Sequence, residues 1–197
     1  MGITAQPIHR FWQTYLQINI ALSRPSPRQQ AAGQHWAACI VTLQLPQPAE
    51  ATATAPAATA PRYGGSLRNA LTTGAQRDQL SSCLPTINWD DDLTTGGCRQ
   101  PHPLELLAYG DSGEQPVTRS QIEQTCRQTA GQLTALPDPT AAGALAIVAR
   151  IQAMNGAAVT TPQVPAHSSL TCGIATTANR KLRGSLLALG RQPIPWA

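Results

Sequence analysis

The sequence predicts an α+β fold made of two related halves, with antiparallel strands backed by helices and stapled by disulfides. Apolar residues recur at helical spacing in some segments and form short β-branched runs in others. The same order of helix, Pro-x-Pro turn, strand and Gly-Ser-Leu occurs twice. Five cysteines accompany an aromatic content of only 4%, so we expect covalent links to supplement a modest core.

Three segments have the residue spacing of helices. Residues 4–22 carry apolar side chains at roughly helical spacing and stop before a Pro-Ser-Pro turn. Residues 118–133 form a second predicted helix, with Thr118 or Ser120 as the N-cap. Residues 140–154 follow a proline and end at an Asn-Gly pair, which is a typical helix stop. We therefore expect a helix in each of these three places.

Three other segments have the composition of strands. Residues 36–45 are apolar and β-branched up to a proline, and residues 104–109 and 169–176 read in the same way. Residues 46–61 consist almost wholly of Pro, Ala, Thr and Gln, so they are expected to form an exposed, mobile loop. The apolar run over residues 182–189 is expected to close the fold.

The proposed halves are residues 1–78 and 79–197. In the first, the predicted helix leads through the proline turn to a strand with Cys39 and then to Gly-Ser-Leu. In the second, the predicted helix leads through a similar turn to a strand with Cys172 and again to Gly-Ser-Leu. We interpret the first half as an incomplete copy that carries the mobile loop, and the pair as a duplicated α+β unit.

The charge pattern argues against nucleic-acid binding. The net charge of +4 comes from scattered arginines, and no stretch interleaves them with aromatic residues.

No stretch reaches the roughly 18 to 20 apolar residues that a bilayer span requires. The start of the chain lacks the pattern of a signal peptide, so export would depend on an upstream segment that is not in this chain.

A specific set of residues resembles a known family. The set consists of Cys83, the segment Cys98-Arg-Gln-Pro-His102-Pro-Leu-Glu105, Cys126 on a predicted helix, and Cys172 before Gly184-Ser-Leu186. Together they resemble the actinobacterial (mycobacterial) septum formation domain, over about residues 79–190 and in part again over 5–70. The first half has Trp12 at the place of Cys126 and no Pro-His-x-x-Glu segment. The resemblance implies an exported or membrane-anchored envelope protein of unestablished activity.

The cysteines are expected to form disulfides, since no Cys-x-x-Cys pair of the kind used by zinc knuckles or redox dithiols occurs. The repeat suggests a bond from Cys83 to Cys172 and another from Cys98 to Cys126. Cys39 would then be an unpaired thiol whose natural partner lies upstream of residue 1. A bond from Cys39 to Cys83, which would leave Cys172 unpaired, is the competing arrangement.

An enzyme hypothesis can be built on the same segment. Cys98 would be the nucleophile, His102 its base and Glu105 the orienting group. A metal site could likewise use Cys98 and His102 with Cys83 or Cys126. If residues 102–105 formed a strand, however, His102 and Glu105 would point to opposite faces. We therefore expect Pro101, His102 and Glu105 to support the fold, with His102 bonding a carbonyl or a glutamate from another strand.

The expected function is that of a non-catalytic binding or structural protein of the actinobacterial cell envelope, linked to septum or wall processes. It would act outside the cytoplasm, secreted or anchored to the cell membrane, with an envelope protein or cell-wall component as partner. No enzyme activity, cofactor, metal or nucleic-acid partner is expected. The alternatives are a cysteine- or metal-dependent hydrolase that uses Cys98 and His102, and a carrier of small apolar ligands such as lipids.

Overall fold

The computed structural model describes residues 11–43, 70–72, 74–89 and 97–197. It contains nine strands and three α-helices in those ranges, together with a short 3-10 turn at Ala70–Thr72. The strands are β1 Trp12–Thr14, β2 Ile18–Ser23, β3 Ala38–Leu43, β4 Ser82–Leu84, β5 Leu104–Asp111, β6 Val117–Thr118, β7 Leu145–Gln152, β8 Gln163–Val164 and β9 Ser169–Thr176. The helices are α1 Pro27–Ala31, α2 Gly74–Leu80 and α3 Arg119–Thr134.

The main sheet has five antiparallel strands built around β5 and β9. β9 pairs with β5 on one side and with β7 on the other along its whole length. The free edge of β5 is shared by two short strands: β1 pairs near its end and β4 pairs near its start. Two smaller antiparallel pairs, β2 with β3 and β6 with β8, lie outside this sheet. Strands and helices thus confirm the α+β class.

Helix α3 packs on the main sheet and contributes one side of the main core. Its buried side chains include Ile122, Cys126, Ala130 and Leu133, which recur three to four residues apart and so share one face. The helix begins at a capping box, in which the Thr118 hydroxyl accepts from the backbone of Gln121 and the Gln121 side chain accepts from the backbone of Thr118. The predicted helix and its Thr118 cap are therefore correct.

Two of the predicted helices are wrong. Over the described part of residues 4–22 the chain forms strands β1 and β2, and Trp12 lies at the sheet edge with its indole N–H donating to Thr125 on α3 at 2.9 Å. Residues 145–152 form strand β7 instead of a helix. The segment after Pro139 is a turn in which Asp138 accepts backbone N–H groups of Thr140 and Ala142. The β-branched residues that follow then pair with β9.

Of the remaining predictions, the three strands are confirmed, whereas the mobile loop and the two halves are not tested. Strands β3, β5 and β9 lie where the sequence places them, at Ala38–Leu43, Leu104–Asp111 and Ser169–Thr176. The proposed mobile loop over residues 46–61 lies outside the described residues. The division into halves 1–78 and 79–197, and the relation between them, stay predictions. Among the described helices, none is long and apolar enough to cross a bilayer.

Candidate functional site: a buried cysteine, histidine and glutamate cluster

Two disulfides are present, and they join different partners from those expected. Cys83 is bonded to Cys98, and Cys126 is bonded to Cys172. The expected pairs, Cys83 with Cys172 and Cys98 with Cys126, are therefore wrong, as is the competing bond from Cys39 to Cys83. Cys39 is a free and exposed thiol on strand β3.

The expected connectivity fails because the two pairs lie in different surroundings. Cys126 projects from the buried face of α3 onto the sheet, where Cys172 lies on the central strand β9. Cys98 instead lies in the loop before β5, and its backbone N–H donates to the carbonyl of Asp78 at 2.7 Å. This contact holds Cys98 beside the end of α2, next to strand β4 and Cys83.

The disulfide from Cys83 to Cys98 lies close to His102 and Glu105. Cys83 on β4 and Glu105 on β5 are direct cross-strand partners, so their side chains share one face of the sheet. One ligand-type atom from each of Cys83, Cys98, His102 and Glu105 lies within 4.8 Å of the others. All four side chains are buried. This group is called the Cys-His-Glu cluster below.

The geometric objection to a His102–Glu105 grouping is wrong. Strand β5 begins only at Leu104, so the two-residue alternation of a strand does not extend back to His102. His102 instead forms an isolated bridge with Leu182, to which it donates and from which it accepts one backbone hydrogen bond, at 2.9 and 2.8 Å. The turn through Pro103 between these two elements brings both side chains to the same place.

The His102 ring is buried and holds one hydrogen bond. Its Nδ1 lies 2.7 Å from the carbonyl oxygen of Gln100, which can only accept, so Nδ1 carries the proton. The ring thus bonds a carbonyl, but one on its own segment instead of another strand. Burial lowers the pKa of His102, against the Gln100 carbonyl and Asp78, which raise it. In the neutral ring, Nε2 keeps its lone pair, and it has no hydrogen-bond partner within the described residues.

Glu105 is fully buried and held by the Gly-Ser-Leu segment. The Ser185 hydroxyl donates to Glu105 Oε1 at 2.5 Å, and the Leu186 backbone N–H donates to Oε2 at 2.7 Å. Burial raises the pKa of Glu105 from its ordinary 4.5 to about 7, against these two hydrogen bonds and the charge of Arg77, which lower it. Gly184 is closely packed, since a Cβ there would lie 3.1 Å from Pro195 and 3.4 Å from Asp78 Oδ1.

Three polar residues near Glu105 are not predicted from the sequence to belong to the site. Arg77 and Ser81 belong to the α2 region and are buried, and Asp78 accepts the backbone N–H of Ser185 at 2.7 Å. The Ser81 hydroxyl lies 2.7 Å from both the Ser185 hydroxyl and the carbonyl of Arg77. In sequence these residues look like the exposed polar face of a short helix. Their distance of about a hundred residues from Ser185 leaves no local signal.

The comparisons with known proteins give no relatives. No family model matches the chain, and neither do any curated protein or solved structure. The resemblance to the septum formation domain therefore stays a prediction that rests on the residues quoted for it. The geometry adds that two separate parts of that motif, Glu105 and Gly184-Ser-Leu186, are in direct contact.

Proposed function

We propose that the protein is a non-catalytic structural or binding component of the actinobacterial cell envelope, acting in septum or wall processes. The main support is the state of the Cys-His-Glu cluster. Cys98, the nucleophile of the competing enzyme hypothesis, is bonded to Cys83, so its sulfur has no thiolate with which to attack a substrate. Cys98 and Glu105 are both 0% exposed, which leaves no room for a substrate beside them.

The contacts of the cluster favour a role in holding the fold. Glu105 accepts hydrogen bonds from the Gly-Ser-Leu segment, and His102 exchanges two backbone hydrogen bonds with Leu182. The disulfide fixes the loop of Cys98 to strand β4. These three links attach the C-terminal segment to β5 and to the residues just before it, and the loop of Cys98 to β4. Such a cluster stabilises the domain and performs no chemistry on a ligand.

Two disulfides fit an extracytoplasmic location, because reducing systems keep most cytosolic thiols reduced. Within the proposal, the protein reaches the envelope by secretion or through a membrane anchor that precedes this chain. Its partner there is another envelope protein or a component of the cell wall. The support for the envelope is the resemblance of the cysteine, Pro-His-x-x-Glu and Gly-Ser-Leu residues to the septum formation domain.

Thiol titration tests the proposal against the cysteine hydrolase. In denaturant without reductant, we expect one reactive thiol from the five cysteines, and alkylation followed by peptide mapping should place it at Cys39. A Cys39→Ser variant is the matched control and should give no reactive thiol. A second reactive thiol at Cys98 in metal-free protein isolated from its native compartment would favour the hydrolase and contradict the proposal.

A further inference from the structure

The Cys-His-Glu cluster contains a complete set of zinc ligands, two of which are joined to each other. Two cysteine sulfurs, one imidazole and one carboxylate are the donor types that proteins use for Zn²⁺. One donor atom from each of the four side chains lies within 4.8 Å of the others. Metal–ligand distances of about 2.0 to 2.3 Å in a tetrahedral site place the ligands roughly 3 to 4 Å apart. No two of these atoms are therefore more than about 1 to 2 Å farther apart than a tetrahedral site requires.

His102 is oriented like a metal-binding histidine. Its Nδ1–H donates to the Gln100 carbonyl, which fixes the ring and the tautomer. Its Nε2 therefore carries the lone pair that a metal would accept. This nitrogen is buried in a side chain that is only 2% exposed, and it has no hydrogen-bond partner among the described residues. A buried nitrogen without a partner is costly, and a metal ion would satisfy it.

Glu105 is also supported as a ligand would be. The Ser185 hydroxyl and the Leu186 N–H each donate to one oxygen of its carboxyl group, which sets the plane of that group. Each carboxylate oxygen has a second lone pair available for a cation. Both ligands other than cysteine thus already have the outer hydrogen bonds that orient ligands in metal sites.

We propose that reduction of the Cys83–Cys98 disulfide converts the Cys-His-Glu cluster into a zinc site with Cys83, Cys98, His102 and Glu105 as ligands. A dithiol reductant supplies two electrons and two protons to the disulfide, giving two cysteine thiols and the oxidised reductant. Zn²⁺ then binds both sulfurs as thiolates and Glu105 as a carboxylate. The two thiol protons, and the proton of Glu105 where that group is protonated, are released to solvent. The site is closed by four protein ligands, which is the pattern of a structural zinc. The metal would replace the covalent link that reduction removes.

The second disulfide lacks these features and provides an internal comparison. Cys126 and Cys172 lie in the apolar core between α3 and the sheet. Within the described ranges, neither belongs to a group of histidine, cysteine or acidic side chains that could hold a metal. Reduction there produces two buried thiols and no set of donors. The proposal therefore concerns one of the two disulfides.

Metal titration of the Cys39→Ser variant tests the proposal without the exposed free thiol. The protein is treated with a dithiol, freed of reductant under anaerobic conditions, and titrated with Co²⁺ alone, followed by Zn²⁺. We expect one equivalent of Co²⁺ to bind with a thiolate-to-cobalt charge-transfer band that Zn²⁺ abolishes. The disulfide-bonded protein should bind neither ion at this site. Absence of the band in the reduced protein would overturn the proposal.

Two double variants separate the cluster from non-specific thiol binding. Cys83→Ser with Cys98→Ser should lower the affinity for Co²⁺ by more than about 100-fold, because loss of even an outer hydrogen-bond partner costs about 10- to 100-fold. Cys126→Ala with Cys172→Ala removes the same number of cysteines and should leave one equivalent of binding. Equal binding by both variants would contradict the assignment.

Alkylation of the same Cys39→Ser protein gives a test that does not depend on how the double variants fold. After reduction, Zn²⁺ should slow alkylation of Cys83 and Cys98 but not that of Cys126 and Cys172. If reduction alone unfolds the chain, Zn²⁺ should restore the near-ultraviolet circular dichroism of the folded protein, because metal binding stabilises the state that contains the site. In a reduced chain that stays folded, equal slowing of alkylation at all four cysteines by Zn²⁺ would overturn the proposal. The absence of both protection and recovery of structure would overturn it as well.

Discussion

Glu105 lies at one end of a row of hydrogen-bonded hydroxyl groups. This row can form hydrogen bonds with the Glu105 carboxyl group whether that group is ionised or protonated. When the carboxyl is ionised, Ser185 donates to Glu105 and Ser81 donates to Ser185 or to the Arg77 carbonyl. When it is protonated, Glu105 can donate to Ser185, Ser185 to Ser81, and Ser81 to that carbonyl. Only hydroxyl rotations separate the two states. A buried carboxyl group therefore gains or loses a proton without leaving a hydroxyl unpaired.

The free energy of unfolding of the disulfide-bonded, metal-free protein should therefore depend on pH through the titration of Glu105. The folded state holds this proton up to about pH 7, whereas the unfolded state releases it near 4.5. The protonated carboxyl thus contributes stability that is complete below pH 4.5 and is lost as the pH rises through 7. The size of this loss is about 3 kcal/mol.

The variant Glu105→Gln isolates this effect. The amide can donate to Ser185 and accept from Leu186, as the protonated acid does, but it does not titrate. Between pH 4.5 and 8, the free energy of unfolding of the wild-type protein should fall relative to that of the variant by about 3 kcal/mol. Urea unfolding at several pH values measures it. His102, Arg77 and Asp78 surround Glu105 in both proteins, so their contributions largely cancel, and a constant difference would contradict the assignment.

At the scale of single elements, the sequence predicted what is decided locally. Helix α3 has both a capping box and a continuous buried face, and strand β9 is a short segment of mostly apolar and β-branched residues. The sequence predicts a helix in place of β7 because a proline and threonine before an apolar run are common at helix starts. The pairing with β9 that decides its structure is not local. The same holds for β1, where the partner of Trp12 on the sheet is Gly110, almost a hundred residues away.

Two glycines should respond in opposite ways to alanine. Gly131 lies within α3, and an added Cβ there would have no neighbouring atom within 4 Å, so Gly131→Ala should stabilise the protein by about 0.5 to 1 kcal/mol. At Gly110 a Cβ would lie 1.6 Å from the carbonyl oxygen of Phe11, where β1 meets β5. Gly110→Ala should therefore cost about 1 to 3 kcal/mol.

Urea unfolding measures both changes, and hydrogen exchange locates the second. In Gly110→Ala, the backbone amides of β1 should lose protection while those of α3 keep it, because the clash lies where the short edge strand β1 meets β5. The Gly131→Ala variant is the control for adding one methyl group. A destabilised Gly131→Ala variant, or an unchanged Gly110→Ala variant, would contradict this view of the two sites.

At the scale of the whole molecule, the sequence predicts which four cysteines form disulfides but not which cysteine pairs with which. Cys98, His102 and Glu105 are close in sequence, and their side chains lie in one cluster in the structure. The attachment of that site to Arg77, Ser81 and Ser185 depends on how α2 and the C-terminal segment meet the sheet. Connectivity of disulfides is set by the same tertiary arrangement, which no spacing of residues encodes.

The two disulfides should contribute unequally to stability. They close loops of 46 and 15 residues, and the disulfide with the longer loop removes more conformational entropy from the unfolded chain. Replacing Cys126 and Cys172 by Ala should cost about 4 kcal/mol, and replacing Cys83 and Cys98 by Ala about 3 kcal/mol. Cys39→Ser is the control and should cost almost nothing, since this thiol is exposed. The reverse order of the two double variants in denaturant unfolding would contradict the pairing.

The burial of Glu105 by the Gly-Ser-Leu segment also constrains the order in which the chain can fold during its synthesis. Strand β5 emerges from the ribosome well before β9, Ser185 and Leu186, all of which must contact it. Until residue 186 has emerged, the carboxyl group lacks the donors that make its burial tolerable. Folding of this sheet is therefore delayed until residue 186 has left the ribosome.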